Sequence, residues 1–87
     1  MSDLSYWHTY QGHLTLDSAG VTISYIFEHQ GLPDGESVWA WSLGGDQSAF
    51  IFDSFTDCAT DFSKHLRETF SVHVSIDEID KCMKIMP

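Results

Sequence analysis

The sequence predicts an α+β fold, with a four-stranded antiparallel sheet (a meander) followed by two helices packed on one face. Apolar residues alternate in the first half of the chain and recur at helical spacing in the second half. Residues that favour turns separate these segments. With 87 residues, 43% of them hydrophobic and 14% aromatic, the chain is expected to form a single compact domain spanning 1–87.

Four segments rich in β-branched and aromatic residues are predicted to be strands. The first two form an antiparallel hairpin, because the segment 17–20 (DSAG) between them has the composition of a turn. Tyr6, Trp7 and Tyr10 could extend the first strand. The strands are expected at 13–16, 21–28, 38–43 and 49–52, and the loops or turns at 17–20, 31–37 and 44–46.

Alternation along these strands gives the sheet one apolar face, because successive side chains point to opposite sides of a strand. A helix is expected to cover this face. The residues predicted on it are Val21, Ile23, Tyr25 and Phe27 in the second strand, Trp39, Trp41 and Leu43 in the third, and Phe50 and Phe52 in the fourth.

Two capping patterns predict where the helices begin. Ser54 followed by Asp57 resembles a capping box and starts a helix over 55–69. Ser75 followed by Glu78 starts a second helix over 76–85. The apolar stripes expected to be buried are Phe55, Cys58, Ala59, Phe62, Leu66 and Phe70 in the first helix, and Ile76, Ile79, Met83 and Met86 in or just after the second.

Charge is distributed unevenly along the chain. The first 63 residues contain nine acids and neither lysine nor arginine, so the formal net charge of −9 belongs to this part. A field of one sign repels nucleic acid and anionic membranes and steers a protein toward basic partners. The last 24 positions hold all four basic residues (Lys64, Arg67, Lys81 and Lys84) and four acids that balance them (Glu68, Asp77, Glu78 and Asp80).

The acids of the first 63 residues are candidates for a partner-binding surface. Carboxylates on a rigid surface can imitate the phosphates of a nucleic acid, whose partners are grooves rich in arginine and lysine. The alternative is that these carboxylates form a solvated surface that serves solubility alone. The acids predicted to bind a partner flank the 31–37 loop, the turn after the third strand and the first helix: Asp34, Glu36, Asp46, Asp53, Asp57 and Asp61.

In its small size, strong acidity and lack of a catalytic motif, the chain resembles phage- and plasmid-encoded inhibitors of host defence. This class includes anti-CRISPR and anti-restriction proteins, several of which mimic DNA. The resemblance implies a non-enzymatic inhibitor that docks on a basic, nucleic-acid-binding host protein in the host cytosol. The acidic field argues against direct binding of nucleic acid, and the lack of a recognisable motif predicts no cofactor.

Aromatic residues suggest an alternative function. Trp39 and Trp41 are expected in the core, whereas Trp7 and Tyr10 lie outside the main alternation and are candidates for a partner or dimer contact. A homodimeric adaptor built on Tyr6, Trp7, Tyr10 and a strand edge would use apolar contacts, with the acidity serving solubility.

Catalytic and metal sites are not expected. Histidine and cysteine spacings match no standard zinc pattern. Cys58 and His65 could share one face of the first helix, but that face is the predicted core face. Cys58 and Cys82 are expected to be free thiols in the cytosol, since the chain shows no signal peptide and no apolar run of membrane-spanning length.

Overall fold

The computed structural model describes residues 6–16, 20–32 and 35–86, with only the backbone of Tyr6. Within these ranges the chain forms a five-stranded antiparallel sheet and two helices, which confirms the predicted α+β fold but adds one strand. The strand order is β4-β3-β2-β1-β5. The elements are β1 (Tyr6–Leu16), β2 (Val21–Gly31), β3 (Ser37–Leu43), β4 (Asp46–Gln47), α1 (Phe55–Phe70), α2 (Ile76–Lys81) and β5 (Met83–Ile85).

A long hairpin of β1 and β2 forms the centre of the sheet. Its register runs from Tyr6 opposite Gly31 to Leu16 opposite Val21, so the residues before position 13 do extend the first strand. Gly20 closes the hairpin with its N–H donating to the Leu16 carbonyl at 2.8 Å. Its φ of 63° lies in the left-handed region, which glycine adopts without strain.

The core lies between the sheet and the helices. Tyr25 and Phe27 are wholly buried, as their alternation predicts, and the ring of Phe62 from α1 lies 5.0 Å from Tyr25 and 5.4 Å from Phe27. The Tyr25 hydroxyl also donates to the carbonyl of Ile79 in α2 at 2.7 Å, so both helices lie on the face that bears Tyr25. Val21 shares this face but is largely exposed at the strand end.

Gly12 of β1 makes room for the core tyrosine. It lies directly opposite Tyr25 in the register of the hairpin. A Cβ atom placed at Gly12 would lie 2.7 Å from Cε2 of the Tyr25 ring and closer still to Cζ and the hydroxyl oxygen. A wholly buried tyrosine at this point therefore requires glycine on the neighbouring strand.

Both capping predictions are confirmed. The Ser54 and Ser75 hydroxyls each accept a hydrogen bond of 3.1 Å, from the N–H of Asp57 and of Glu78 respectively. Helix α1 ends one residue later than predicted, at Phe70, where Ser71 adopts the left-handed conformation. The stripe predicted to be buried in α1 is confirmed at its centre, where Cys58, Ala59, Phe62 and Leu66 are fully enclosed, while Phe55 and Phe70 pack at its margins.

The second helix is shorter than predicted. It ends at Lys81, and the chain continues as β5, which pairs with β1 from Gly12 opposite Met83 to Tyr10 opposite Ile85. The prediction of a helix to residue 85 was wrong because strand pairing satisfies backbone groups along the edge of β1 that the sequence pattern had left unpaired. Met83 is half-buried against the core, but Met86 is exposed.

The prediction of a fourth strand over 49–52 was also wrong. Pairing beyond the Gly44–Gly45 turn begins at once, with Asp46 opposite Leu43, so β4 consists of Asp46–Gln47 alone. Only Phe52 of the predicted strand pairs with β3, through an isolated bridge to Trp39. Phe50, predicted on the apolar face, is exposed to solvent.

Candidate partner-binding edge

A bulge forms along the outer edge of β3. The N–H of Ser48 donates to the carbonyl of Trp41 at 2.9 Å, and Trp39 and Phe52 exchange two backbone hydrogen bonds of 2.7 and 2.8 Å. Between these contacts β3 has a single residue, whereas the opposing segment has the three residues 49–51. The surplus residues cannot follow the strand, so they project from the sheet as the 49–51 bulge.

The bulge exposes two large apolar side chains. Phe50 is 72% and Ile51 is 67% exposed. Single apolar residues on a surface are ordinary, but two adjacent large ones held out by a backbone distortion make the bulge a candidate contact surface. The run 49–52 (AFIF) was the sequence signal for this exposure. In a strand with one covered face, alternation would leave every second one of these apolar side chains in solvent.

Exposed carboxylates lie at both ends of this edge. Asp46 is paired with the last residue of β3, and Glu36 directly precedes its first residue. These ends are separated by the length of β3, ~23 Å for seven residues. Asp53 follows the bridge at Phe52, where the antiparallel chain runs back toward the Glu36 end. We define the acidic edge as Glu36, Asp46, Asp53 and Asp57 together with Phe50 and Ile51 of the bulge, all of them exposed.

Asp61 has a structural partner. Its Oδ2 accepts a hydrogen bond of 2.9 Å from Nε1 of Trp41, whose side chain is 4% exposed. Buried indole N–H groups need an acceptor, so this carboxylate supports the core. Lys64 lines the same small hollow as Asp61, so the cation-free surface ends at this point of α1.

Asp46 contacts a histidine on the same side of the molecule. Its Oδ2 lies 3.3 Å from Nε2 of His65, a contact that becomes an ion pair when the imidazole is protonated. The His65 ring lies 4.8 Å from that of Trp41, which agrees with its predicted position on the core face of the first helix. Asp46 remains exposed and can still meet a partner.

Of the remaining predicted residues, the two that the structure describes, Trp7 and Tyr10, do not form a joint surface. Asp34 lies outside the described residues. Trp7 is 57% exposed and belongs to the sheet face without helices, because it is three residues from Tyr10 along a strand. Tyr10 lies on the helix side, half-buried, and β5 covers its strand edge. Trp7 and Tyr10 therefore face opposite directions.

An aromatic cluster that the sequence did not reveal lies on the helix side of the sheet. The rings of Tyr10 and Trp39 stack at 5.8 Å, and His29 stacks on Trp39 at 4.1 Å with an interplanar angle of 9°. His8 lies 6.2 Å from His29. Burial, and then the neighbouring His8, lower the pKa of His29 below its ordinary value of 6.5. A sequence signal for this cluster existed. By alternation along β1 and β2, His8, Tyr10 and His29 fall on the same face of the sheet as the core residues.

An open groove extends from this cluster toward the ends of the helices. Its volume is about 580 Å³. The floor and one wall are aromatic, and the opposite side combines one carboxylate with two aliphatic side chains. The lining residues are Tyr10, Trp39, Phe55, Asp80, Met83 and Ile85, which we call the aromatic groove.

The Cys58–His65 pair does not provide a nucleophile. Cys58 is completely buried, and its burial, with a smaller effect of Asp61, raises the pKa of the thiol to about 12. A thiol with this pKa stays protonated near neutral pH, and only the thiolate is nucleophilic. Among the described residues no group of three or more His, Cys, Asp or Glu side chains is placed to hold a metal ion.

Comparisons with known proteins return no relative. No protein-family model matches the chain, and no curated protein and no solved structure matches it. In the part of the chain that the structure describes, neither helix has the length and apolar character needed to cross a membrane.

Proposed function

We propose that the protein is a non-enzymatic binding protein that docks its acidic edge on a basic groove of a nucleic-acid-binding protein. Occupying that groove would exclude the nucleic acid, as expected of a phage- or mobile-element-encoded inhibitor of a CRISPR or restriction complex. The observation that supports this proposal best is the 49–51 bulge, which exposes Phe50 and Ile51 between Asp46 and Asp53.

An apolar anchor within a charged rim is a common design for a protein interface. Buried aromatic and aliphatic anchors contribute most of the binding energy, and the polar rim contributes specificity. Complementary charges raise the association rate and reject partners of the wrong sign. In the acidic edge, Phe50 and Ile51 would serve as anchors and the four carboxylates as the rim.

The strand order keeps most cations away from this edge. Lys84 lies in β5, at the opposite side of the sheet from β4, and Lys81 directly precedes that strand. Three inter-strand spacings separate β3 from β5, a distance of ~14 Å. Lys64 and Arg67 lie in the second half of α1, beyond its acidic first turn. Lys64 is the exception, because it lines a small hollow together with Gln47 of β4 and Ala49 of the bulge. Carboxylates outnumber cations along the acidic edge, so its field is predominantly negative.

Charge reversal with a matched control tests the proposal. The protein is immobilised, host lysate is passed over it, and bound proteins are eluted with a salt gradient and identified by mass spectrometry. The test variant is Asp53→Lys with Asp57→Lys, and the control is Asp77→Lys with Glu78→Lys in the first turn of α2. Both change the net charge by the same amount. Asp61 is left intact because it supports Trp41.

We expect the wild type and the control to retain a nucleic-acid-binding protein that elutes at moderate salt and that added nucleic acid displaces. The acidic-edge variant should bind it about tenfold more weakly at low salt, with the difference shrinking as salt screens the exposed charges. Phe50→Ala should weaken binding at all salt concentrations. Equal binding by both charge variants, or a partner that nucleic acid does not displace, would contradict the proposal.

A second candidate function rests on Trp7. This side chain is 57% exposed on the sheet face opposite the helices, where a homodimeric adaptor could make an apolar contact. Light scattering after size exclusion separates the two proposals. A stable dimer that Trp7→Ala converts to a monomer would favour the adaptor, and a monomer at all concentrations would exclude it.

A further inference from the structure

The aromatic groove lies where the two helices leave the sheet face uncovered. Helix α1 begins at Phe55 and α2 ends at Lys81, so both helix ends border the groove while Tyr10 and Trp39 form its floor. Ile85 on its rim is 56% exposed. We infer that this groove binds an arginine side chain, and the inference rests on the proposed function because the arginine would belong to the basic partner.

The ring geometry provides several aromatic surfaces for a cation, although His29 already covers one face of Trp39, with ring centroids 4.1 Å apart. Trp39 is stacked with Tyr10 at 5.8 Å and an interplanar angle of 25°, and its contact with Phe55 at 5.2 Å and 66° is nearly perpendicular. Rings set at different angles around one space surround a guest on more than one side. The faces of tryptophan and tyrosine rings carry negative potential and attract cations within about 6 Å.

The other lining residues match the rest of an arginine side chain. Asp80, an exposed carboxylate, can accept two parallel hydrogen bonds from a guanidinium group. Met83 and Ile85 provide apolar surface for the methylene stem of an arginine. A guanidinium is planar and stacks on aromatic rings, which an ammonium group cannot do, so arginine fits this groove better than lysine.

The described residues that line the groove include no lysine or arginine. Lys84 alternates with Met83 and Ile85 along β5 and pairs with Gln11, so its side chain points to the other face of the sheet. The aromatic groove therefore combines rings, a carboxylate and apolar surface on the side away from Lys84. The arginine that enters the groove would come from the basic partner, which the acidic edge attracts through its charge.

A titration with small probes tests the groove without the partner. N-acetyl-arginine amide is added to the folded protein, and the indole N–H and aromatic C–H signals are followed by NMR. The controls are N-acetyl-citrulline amide, which has nearly the same shape without the charge, and N-acetyl-lysine amide. We expect saturable shifts at Trp39 and Tyr10 with millimolar affinity, and binding of the citrulline and lysine probes weaker by about fivefold or more.

Two variant pairs locate the binding site. Asp80→Asn should weaken binding of the arginine probe by about fivefold, whereas Asp77→Asn in the same helix should leave it unchanged. Trp39→Leu should abolish the shifts, whereas Trp7→Leu on the opposite face should not. Because Trp39 packs against the core, Asp80→Asn, which changes an exposed side chain, remains informative if Trp39→Leu fails to fold.

Equal shifts from the citrulline or lysine probe would overturn the inference, as would an unaltered affinity in Asp80→Asn or shifts centred on Trp7. These results are independent of the acidic edge, which the charge-reversal variants test with the intact partner. The probe titration can therefore refute arginine binding in the groove while the proposed function stands. The charge-reversal experiment can likewise refute the proposed function while the groove still binds the arginine probe.

Discussion

One face of a single sheet differs greatly between its two ends. At the covered end, Tyr25 and Phe27 are wholly buried beneath α1 and α2, and the Tyr25 hydroxyl is bonded to a helix carbonyl. At the open end, Tyr10, His29 and Trp39 carry rings on the same face, but the helices cover them incompletely and they remain half-buried. The open-end rings contact one another, and α1 reaches them through its first residue, Phe55, whose ring lies 5.2 Å from that of Trp39.

This difference shows how one strand pattern can bury one end of a sheet face and leave the other end open. The 11-residue strands β1 and β2 are longer than the two helices can cover, and the molecule extends over 51 Å in one direction and 24 Å in the others. Stacked rings with polar edges tolerate water, so the open end need not be filled by the protein's own chain. Substitutions should therefore affect stability strongly at the covered end and weakly at the open end.

The largest effect is expected at Gly12. In Gly12→Ala the new methyl group would overlap the Tyr25 ring, which is enclosed between the hairpin and both helices. Overpacking at such an enclosed site should lower the free energy of unfolding by about 3 kcal/mol. In a domain this small, that loss lowers the melting temperature by more than about 10 °C. Thermal unfolding followed by circular dichroism measures the change.

Gly45→Ala is the matched control for Gly12→Ala. Its Cβ would meet no atom within 4 Å, and its backbone is not in the left-handed region. We expect its melting temperature to stay close to that of the wild type. If Gly12→Ala melted like Gly45→Ala, the tight packing of Tyr25 against β1 would be refuted.

A smaller effect is expected for Tyr25→Phe. The change removes the hydrogen bond of 2.7 Å to Ile79 and leaves a buried carbonyl without its donor, at a cost of about 1.5 kcal/mol. Urea unfolding gives the loss of stability, and hydrogen exchange should show lower protection in α2 and β5. The same change at the open end, Tyr10→Phe, should alter stability by less than about 0.5 kcal/mol.

The alkaline limb of the stability profile gives a second measure of Tyr25. Burial, with smaller contributions from Cys82, Glu78 and Asp80, raises the pKa of Tyr25 well above its ordinary value of 10.0. The unfolded state then releases the phenolic proton before the folded state does, so stability present below pH 10 is lost as the pH rises above it. Tyr25→Phe should lose less stability in this range, and an identical decline in both proteins would contradict the assignment.

The sequence was sufficient for the covered end because its signals are local and periodic. Alternation in β2 identified Ile23, Tyr25 and Phe27, and the capping patterns at Ser54 and Ser75 located both helix starts. Each of these features depends on neighbours in the chain. Hydrophobic burial and helix capping therefore determine them before the strands are arranged in space.

The sequence was insufficient where distant segments decide the outcome. The pairing of β5 with β1 joins residues about seventy positions apart, and no local pattern distinguishes it from the end of a helix. The bulge that exposes Phe50 depends on where Ser48 and Phe52 bond to β3. The role of Asp61 likewise became visible only through its contact with Trp41, 20 residues away.

The smallest effect is expected at the open end and should appear only in mild acid. The pKa of His29 lies below its ordinary value of 6.5, chiefly through burial against Trp39 and then through the charge of His8. The unfolded state therefore binds a proton more readily, so stability is complete above pH 6.5 and declines as the pH falls through that value. His29→Gln removes this group and should flatten the decline in melting temperature between neutral and mildly acid pH, whatever its effect at neutral pH.

His13→Gln, on the other sheet face, is the control. If both variants changed the slope equally, the stacked histidine would not be the source of the acid sensitivity, and the open end would contribute nothing distinctive to the pH dependence of stability.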